Sequence, residues 1–326
     1  MKHTILILSF ILTTTLNFGQ NVPKEYFDLV KIADSLYNAK NYRNSAEKYS
    51  EAFKSNKWKG YPNDRYSAAC SWALAAIPDS AFFQLDRIAT KSKYTNYGEI
   101  TTDADLVSLH RDQRWTPLLE KIKQNKEKEE ANYNKSLVAI LDTINIEDQK
   151  YRHQIDEIEK KYGWESKEIK DHWKIIHEKD SVNLIKVKTI LDQYGWLGAD
   201  IVGKQGNSTL FLVIQHSDLT TQEKYLPLMR EAVKNGKAQG SSLALLEDRV
   251  ALRQGKMQIY GSQIGRNLET QEYYVSPLED PDNVDKRRAE VDLGPLADYI
   301  SKWKINWDVE QYKRDLPKLK EKMNGK

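Results

Sequence analysis

The region between Gln215 and Gln263 holds most of the side chains that could take part in chemistry. His216 ends an apolar segment, and Asp218 follows it two positions later. An imidazole beside a carboxylate can act as an oriented general base or contribute two metal ligands, and folding could also bring Asp248 to it. The candidate catalytic residues are therefore His216, Asp218 and Asp248. A histidine at the end of an apolar helix is also a common hydrogen-bonded structural residue, so both interpretations stay open.

The same region is rich in uncharged amides and aromatic rings. Amide side chains present paired donors and acceptors, and tyrosine rings present flat apolar faces. Such groups suit a neutral polar ligand, for example a sugar or a peptide backbone. They equally suit a buried network that holds neighbouring elements together. The candidate ligand-binding residues are Gln215, His216, Gln222, Arg249, Gln258, Tyr260 and Gln263.

Several established catalytic patterns are absent from the sequence. It contains neither a His-Glu-x-x-His zinc motif nor a Gly-x-Ser-x-Gly nucleophile elbow. The glycine-containing segment 203–209 lacks the spacing and the lysine of a phosphate loop. We expect no metal and no cofactor, and the sequence leaves open whether the protein is an enzyme.

Helices have to position the candidate residues. The nearly all-apolar segment 208–216 predicts a core helix that delivers the first candidates at its end. A second helix is predicted over 221–236, with its first threonine as the cap and a glycine as the stop. A third, over 241–255, carries Asp248 and Arg249.

One small β-hairpin is expected after these helices. The residues of 257–260 alternate between apolar and polar, which is typical of a strand. A second short strand is predicted over 271–275, and the two strands could pair. Helices nevertheless dominate this part of the chain.

Nearer the start of the sequence, a pattern of small and apolar residues repeats with a period of 36 residues. Small residues twelve positions apart suit the close crossing of two antiparallel helices, and the residues that follow lie on the buried face of the second helix. Both copies resemble tetratricopeptide repeats. The resemblance implies a scaffold that binds a protein or peptide partner, and the alternative is a region that only supports the rest of the chain. The copies are Ala33, Ser45, Tyr49 and Ala52, then Ala69, Ala81, Leu85 and Ile88.

A second resemblance rests on an ordered set of residues in the later part of the chain. The set comprises Gly195-Trp196, Val202-Gly203, Gln215-His216, Asp218, Gln222, Leu228-Met229, Asp248-Arg249, Gly255, Gln258, Tyr260-Gly261-Ser262-Gln263 and Val284-Asp285-Lys286-Arg287-Arg288. Over roughly residues 135 to 300, the chain resembles the uncharacterised bacterial domain-of-unknown-function family 6624. The Tyr-Gly-Ser-Gln stretch is the most distinctive part. This resemblance implies a domain boundary and no mechanism.

The start of the chain has the pattern of a secretory signal peptide. Lys2 and His3 precede an apolar stretch over 5–16, and Gly19 suits the exit. The stretch is shorter than the roughly 20 apolar residues that cross a membrane. We therefore expect an exported protein, periplasmic or secreted, that does not span a membrane after the signal is removed.

The charge balance argues against nucleic acid as the main partner, so none is expected. The net charge is +3, and removal of residues 1–20 takes away one lysine and leaves +2. A nucleic-acid-binding protein would favour a clustered basic face. The single cysteine, Cys70, lies in an apolar helical run and is predicted to be a small core residue.

Together these patterns predict a mainly α fold: tetratricopeptide-like helix hairpins followed by a helical domain with one small β-hairpin. The predicted boundaries are 1–20 for the signal peptide, 21–125 for the repeats and 126–326 for the second domain. We expect a binding or scaffold protein with a partner-binding repeat region and a polar ligand pocket in the second domain. The alternative is a cell-envelope hydrolase that acts on a peptide or glycan with His216 as general base.

Overall fold

A computed structural model describes residues 22–267 and 270–324. The predicted signal peptide, residues 1–20, lies outside the described residues. The chain divides into two compact units, the first ending at Asn125 and the second beginning at Lys126. The described residues are mainly helical and include a single two-stranded sheet, which confirms the mainly α prediction. No described helix combines the length and apolar character needed to cross a membrane.

Pairs of helices build the first unit: α1 packs against α2, α2 against α3, and α3 against α4. Proline occupies the first helical position of both α3 and α4, where its missing N–H costs no hydrogen bond. The helices that begin in this unit are α1 (Lys24–Asn38), α2 (Tyr42–Ser55), α3 (Pro62–Leu74), α4 (Pro78–Thr90), α5 (Tyr97–Thr102) and α6 (Trp115–Glu129), with a 3-10 helix over Ala104–Leu109.

Small residues lie where the first two helices approach each other. The Ser45 hydroxyl on α2 donates to the backbone oxygen of Ala33 on α1 at 2.8 Å, and its oxygen lies 3.1 Å from the Ser71 hydroxyl oxygen on α3. All three residues are buried. In the second pair, Ala69 and Ala81 are buried in one cluster. Residues twelve positions apart therefore lie in the buried faces of both helix pairs.

The second unit contains the remaining described helices and the hairpin. Its helices are α7 (Lys135–Arg152), α8 (Ile155–Tyr162), α9 (Lys167–Tyr194), α10 (Ala199–His216), α11 (Leu219–Lys234), α12 (Gly240–Arg253), α13 (Val284–Glu290), α14 (Leu296–Ile300) and α15 (Val309–Asn324). The strands are β1 (Ile264–Arg266) and β2 (Tyr273–Val275), and 3-10 helices cover Glu130–Asn132, Pro281–Asn283 and Ser301–Trp303.

Helix α10 is the central element of this unit, because α7, α9, α11 and α12 all pack against it. Its second half is apolar on nearly every side, and Leu210, Val213 and Ile214 are buried. A helix that is apolar all round belongs inside a core. The helix bends at Gly203, whose φ of 72° is a left-handed conformation that favours glycine. The C-terminal end of α10, including His216, therefore lies among other helices.

The hairpin begins later in the chain than predicted. Strand β1 pairs antiparallel with β2, with Ile264 opposite Val275. The predicted first strand, 257–260, makes only an isolated parallel bridge from Gln258 to Leu278. The reason is local, because the backbone N–H groups of the two residues after Gln258 donate to the Asp248 carboxylate. Those groups cannot also pair with a neighbouring strand.

The environment of Cys70 predicts an unreactive thiol. The residue is 4 % exposed, and burial together with the nearby Asp103 carboxylate raises the pKa of the thiol. Because the thiolate is the nucleophile, we expect iodoacetamide to label the native protein at pH 8 more than about tenfold slower than the unfolded protein. Labelling with and without guanidinium, followed by mass spectrometry, measures both rates at this single cysteine. Equal rates would show that α3 is not stably packed.

Candidate functional site

The structure places a buried carboxylate beside His216, at a position that the sequence prediction did not include. His216 Nδ1 lies 3.0 Å from Oδ1 of Asp148 on α7. The Asp148 side chain is 1 % exposed and also accepts a hydrogen bond from Gln149 Nε2 at 2.6 Å. The partner of His216 is thus 68 residues away in sequence, instead of the adjacent Asp218 or the later Asp248.

The charges around Asp148 determine the role of each nitrogen of the imidazole. Burial alone would raise the pKa of Asp148, but the hydrogen bond and charge of His216 and the charge of Arg152 outweigh burial and lower the pKa. An ionised carboxylate only accepts hydrogen bonds, so Nδ1 of His216 carries the donated proton. Its other ring nitrogen, Nε2, makes no hydrogen bond with the described residues. The side chain is 18 % exposed, so Nε2 is available for a proton or a ligand.

Arg152 connects the Asp148 carboxylate to α9. Its Nη2 atom donates to Asp180 Oδ2 at 2.8 Å, and Nη1 lies 3.4 Å from Asp148 Oδ1. One potential ligand atom each from Asp148, Asp180 and His216 lie within 4.8 Å of one another, a spacing that suits a metal ion. The Arg152 guanidinium already pairs with both carboxylates, so a cation would have to compete with it. This charge arrangement fits a divalent metal poorly.

A second arginine reaches the same end of α10 from α12. Arg249 Nε donates to Gln263 Oε1 at 3.1 Å, and Nη1 donates to the backbone oxygen of Gln215 at 2.9 Å. Burial, the charge of Arg253 and the charge of Arg152 lower the pKa of Arg249 to about 10. Asp148, Arg152, His216, Arg249 and Gln263, hereafter the His216 site, thus come together from α7, α10, α12 and the loop before β1.

The predicted glutamines divide between this site and the interior. Gln222 is fully buried and donates from Nε2 to the backbone oxygen of Gln215 at 2.9 Å. Gln258 is also fully buried, donates to the backbone oxygen of Ser276 at 2.8 Å and accepts from the Gln263 backbone N–H. Gln222 and Gln258 therefore hold backbone segments in place, whereas the Gln263 amide contacts Arg249.

Gln215 and Tyr260 contribute to the architecture through their backbones. The backbone oxygen of Gln215 accepts hydrogen bonds from both Gln222 and Arg249, while its buried side-chain oxygen has no hydrogen-bond partner among the described residues. The Tyr260 N–H donates to Asp248, and its backbone oxygen accepts from Arg288 Nη1 at 2.7 Å.

Asp248 organises the loop over residues 259–262. Its carboxylate, fully buried, accepts the backbone N–H groups of Ile259 at 2.7 Å, Tyr260 at 3.0 Å and Ser262 at 2.9 Å. Burial raises the pKa of Asp248, although these hydrogen bonds oppose the rise. The Asp248 carboxylate thus makes all its described hydrogen bonds with the loop, and this is typical of a residue that stabilises the fold.

Asp218 caps the next helix. Its Oδ1 atom accepts the backbone N–H of Thr221 at 2.7 Å, in the position of an N-cap for α11. The predicted cap, Thr221, instead lies in the first turn. This contact holds the Asp218 carboxylate at the start of α11. The carboxylate that pairs with His216 is that of Asp148.

A sequence signal for Asp148 does exist. Leu141 and Ile144 are buried on α7, and Asp148 follows them at helical spacing. A carboxylate on the apolar face of a helix must find a partner inside the protein. Arg152 lies one turn further along the helix, so the same pattern could have indicated both residues.

A groove beside the hairpin is separate from the His216 site. It lies between the hairpin and α15, has a volume of about 370 Å³, and is lined in part by Tyr274, Trp307 and Gln311. No residue of the His216 site lines it. The His216 site is therefore distinct from this groove.

Comparison with known proteins identifies most of the second unit. A family model described as "Family of unknown function (DUF6624)" matches residues 134–309. The matched region includes every residue of the His216 site, and it confirms the resemblance predicted for this part of the chain. The curated proteins gave no match, and neither did the solved structures.

Replacement of Asp248 tests its structural role. In Asp248→Asn, an amide N–H₂ replaces one acceptor oxygen, so at least one loop N–H loses its partner. We expect the free energy of unfolding to fall by about 1–3 kcal/mol, the cost of an unsatisfied buried donor. Urea denaturation measures it, and the exposed Asp171→Asn on α9 is the control, with an expected change below about 0.5 kcal/mol. Equal stability of Asp248→Asn and the parent would contradict the structural role.

The cap of α11 gives a pH-dependent prediction. Asp218→Ala should lower the free energy of unfolding by about 0.5–2 kcal/mol at pH 7, whereas Asp218→Asn should retain most of the cap. Hydrogen bonds from Thr221 lower the pKa of Asp218 below its usual 3.8. The contribution of the ionised cap is therefore present above pH 4 and is lost as the pH falls through the folded-state pKa. Urea denaturation at pH 7 and pH 3 should show a smaller difference at pH 3, and no difference at pH 7 would refute the cap.

Proposed function

The chain belongs to the family of unknown function DUF6624, and we propose that its second unit is a ligand-binding domain with the His216 site as its binding site. One observation carries the proposal: the buried Asp148 carboxylate orients His216 and leaves Nε2 without a described hydrogen bond, while Arg249 donates to the backbone oxygen of the preceding residue, Gln215. A ligand that binds there meets groups that are already in place. Pre-organised polar groups lower the cost of ordering the site on binding.

The origin of these groups also supports a binding site. They come from helices α7, α10 and α12 and from the loop before β1, and each is held by contacts with its own surroundings. Arg152 is fixed by two carboxylates, and Gln263 is held through its backbone by the buried Gln258. Convergent polar groups on rigid elements are typical of ligand sites.

The proposal for the whole protein includes the first unit and the start of the chain. We propose that the helix pairs form a tetratricopeptide-like scaffold that binds a protein or peptide partner. The period of 36 residues and the contact between Ser45 and Ala33 support it. The signal-like start of the sequence supports export to the periplasm or the medium.

A second candidate function is hydrolysis of a peptide or glycan in the cell envelope. The contact between Asp148 and His216 favours it, because a carboxylate on Nδ1 orients the imidazole of known acid–base pairs. In this mechanism His216 Nε2 takes a proton from water, and a guanidinium stabilises the developing oxyanion. We propose water as the nucleophile. The neighbouring Ser217 hydroxyl is less suited to attack, because it is buried and donates its proton to the Ile214 backbone oxygen.

A ligand screen with variants of His216 tests the proposal and separates the two functions. Residues 21–326 are screened by thermal shift against cell-wall fragments, oligosaccharides, short peptides and divalent metals. A ligand at 100 times its Kd adds about 2.7 kcal/mol to the free energy of unfolding. If the site only binds, His216→Gln and Gln263→Ala should weaken the affinity by about tenfold or more, which is 1.4 kcal/mol.

The catalytic alternative predicts a different result for the same variant. His216→Gln would then bind the substrate with nearly unchanged affinity and lose turnover by about 10² to 10⁴-fold. His177→Gln is the matched control, because His177 is an exposed histidine on α9 beside Trp173. Unchanged affinity and unchanged turnover in His216→Gln would refute both functions for this site.

A further inference from the structure

We infer that the ligand of the His216 site carries an oxyanion group, a carboxylate or a phosphate, which pairs with the guanidinium of Arg249. The inference rests on the proposed function, since it names the chemical class of the ligand that the site binds. It replaces the neutral ligand expected from the sequence. The reason is the distribution of charge around the end of α10.

The hydrogen bonds of Arg249 leave part of its guanidinium unused. A guanidinium has five N–H donors in a planar fork. Nε donates to Gln263, and Nη1 donates once, to the Gln215 backbone oxygen. Among the described residues no further hydrogen bond of this side chain is present, so three N–H groups remain, including both on Nη2. This donor pattern suits the two oxygens of a carboxylate or phosphate.

Arg249 also lacks a counter-charge. No carboxylate of the described residues lies within 4.0 Å of it. Its charged neighbours Arg253 and Arg152 are themselves cations, and together with burial they lower its pKa. A partly buried guanidinium without an anion is costly, because desolvation is not offset by attraction. An anionic ligand would remove this cost.

The other arginine of the site is paired differently. Arg152 contacts Asp148 and Asp180, so its charge is balanced within the protein. Arg288, elsewhere in the unit, also lacks a direct ion pair, but it donates to two backbone oxygens and lies over the Tyr299 ring. Burial lowers the pKa of Arg288, but Tyr299 and the charges of Asp285 and Asp248 oppose that fall. Among the described residues no carboxylate favours the ionised form of Arg249, and only Tyr299 does so. Arg249 contacts the backbone of Gln215, the residue before His216.

A structural role explains only part of the arrangement. Arg249 and Arg253 donate to the backbone oxygens of Gln215 and Ser217, and cations are favourable at the C-terminus of a helix. This role requires one N–H of Arg249 Nη1. It does not require that both N–H groups of Nη2 remain without a hydrogen-bond partner among the described residues.

Titration with small anions tests the inference. The protein from residue 21 is titrated calorimetrically with inorganic phosphate, succinate and chloride at constant ionic strength. We expect saturable binding of phosphate or succinate but not of chloride. Comparison of the phosphate and succinate titrations shows whether the site prefers a phosphate or a carboxylate. Arg249→Gln should weaken this binding by at least about tenfold, and Arg249→Lys should weaken it less, because lysine keeps the charge and loses the fork.

A matched control and a folding check make the result decisive. Arg314→Gln alters an exposed arginine of α15 that contacts Gln311, and it should bind the anions like the parent. Circular dichroism establishes that each variant is folded, and Arg249→Lys provides the comparison if Arg249→Gln unfolds. Binding that persists unchanged in the Arg249 variants, or no saturable binding of either anion, would overturn the inference.

The outcome of this experiment is separate from that of the ligand screen. If a neutral ligand binds and requires His216 but not Arg249, the anion inference is wrong and the proposed binding site stands. If anions bind through Arg249 while His216→Gln has no effect on any ligand, the anion site exists and the proposed role of His216 fails.

Discussion

A helix that ends inside a protein leaves its last carbonyl groups without partners in the helix, and α10 ends in this way. The protein satisfies these groups with side chains from other elements. The Gln215 oxygen accepts from Gln222 and Arg249, and the Ser217 oxygen accepts from Arg253. Burial of α10 therefore requires donors at its end, and two of these donors are arginines. The positive charge near His216 follows from the way the core is built.

The loop before β1 depends on a second buried group. Asp248 on α12 accepts three backbone N–H groups of this loop, and the Gln258 side chain holds the backbone of Gln263 and of Ser276. Arg249 follows Asp248 directly in sequence and contacts Gln263 at the end of the loop. One turn of α12 thus holds the loop with a carboxylate and reaches the His216 site with a guanidinium. For this reason, changes in the loop and changes in the site should affect each other.

The sequence predicted the helical class, one small hairpin and the end of the core helix at His216, because these depend on local periodicity. It misplaced the first strand of the hairpin, because the N–H groups of Ile259 and Tyr260 bind Asp248. It did not predict the partner of His216. Local spacing pointed to Asp218, but the chain turns between α10 and α11, and the capping contact holds that carboxylate at the start of α11. Asp148 is distant in sequence and becomes a neighbour only through the packing of α7 on α10. Contacts between residues so distant in sequence can be assigned only once the fold is known. The carboxylate on the apolar face of α7 nevertheless indicated that Asp148 needs a buried partner.

The balance of charge in the His216 site bears on whether it binds or catalyses. Asp148 and Asp180 are both engaged by Arg152, so neither carboxylate is free to attract a cation. Two groups have no described hydrogen bond: the Nε2 nitrogen of His216 and the Nη2 side of the Arg249 guanidinium. An anion can bind to such a pair without any reaction, whereas hydrolysis also needs a susceptible bond held close to Nε2 and a water between them. Because binding demands less of the same geometry, the described groups support it more directly than they support hydrolysis.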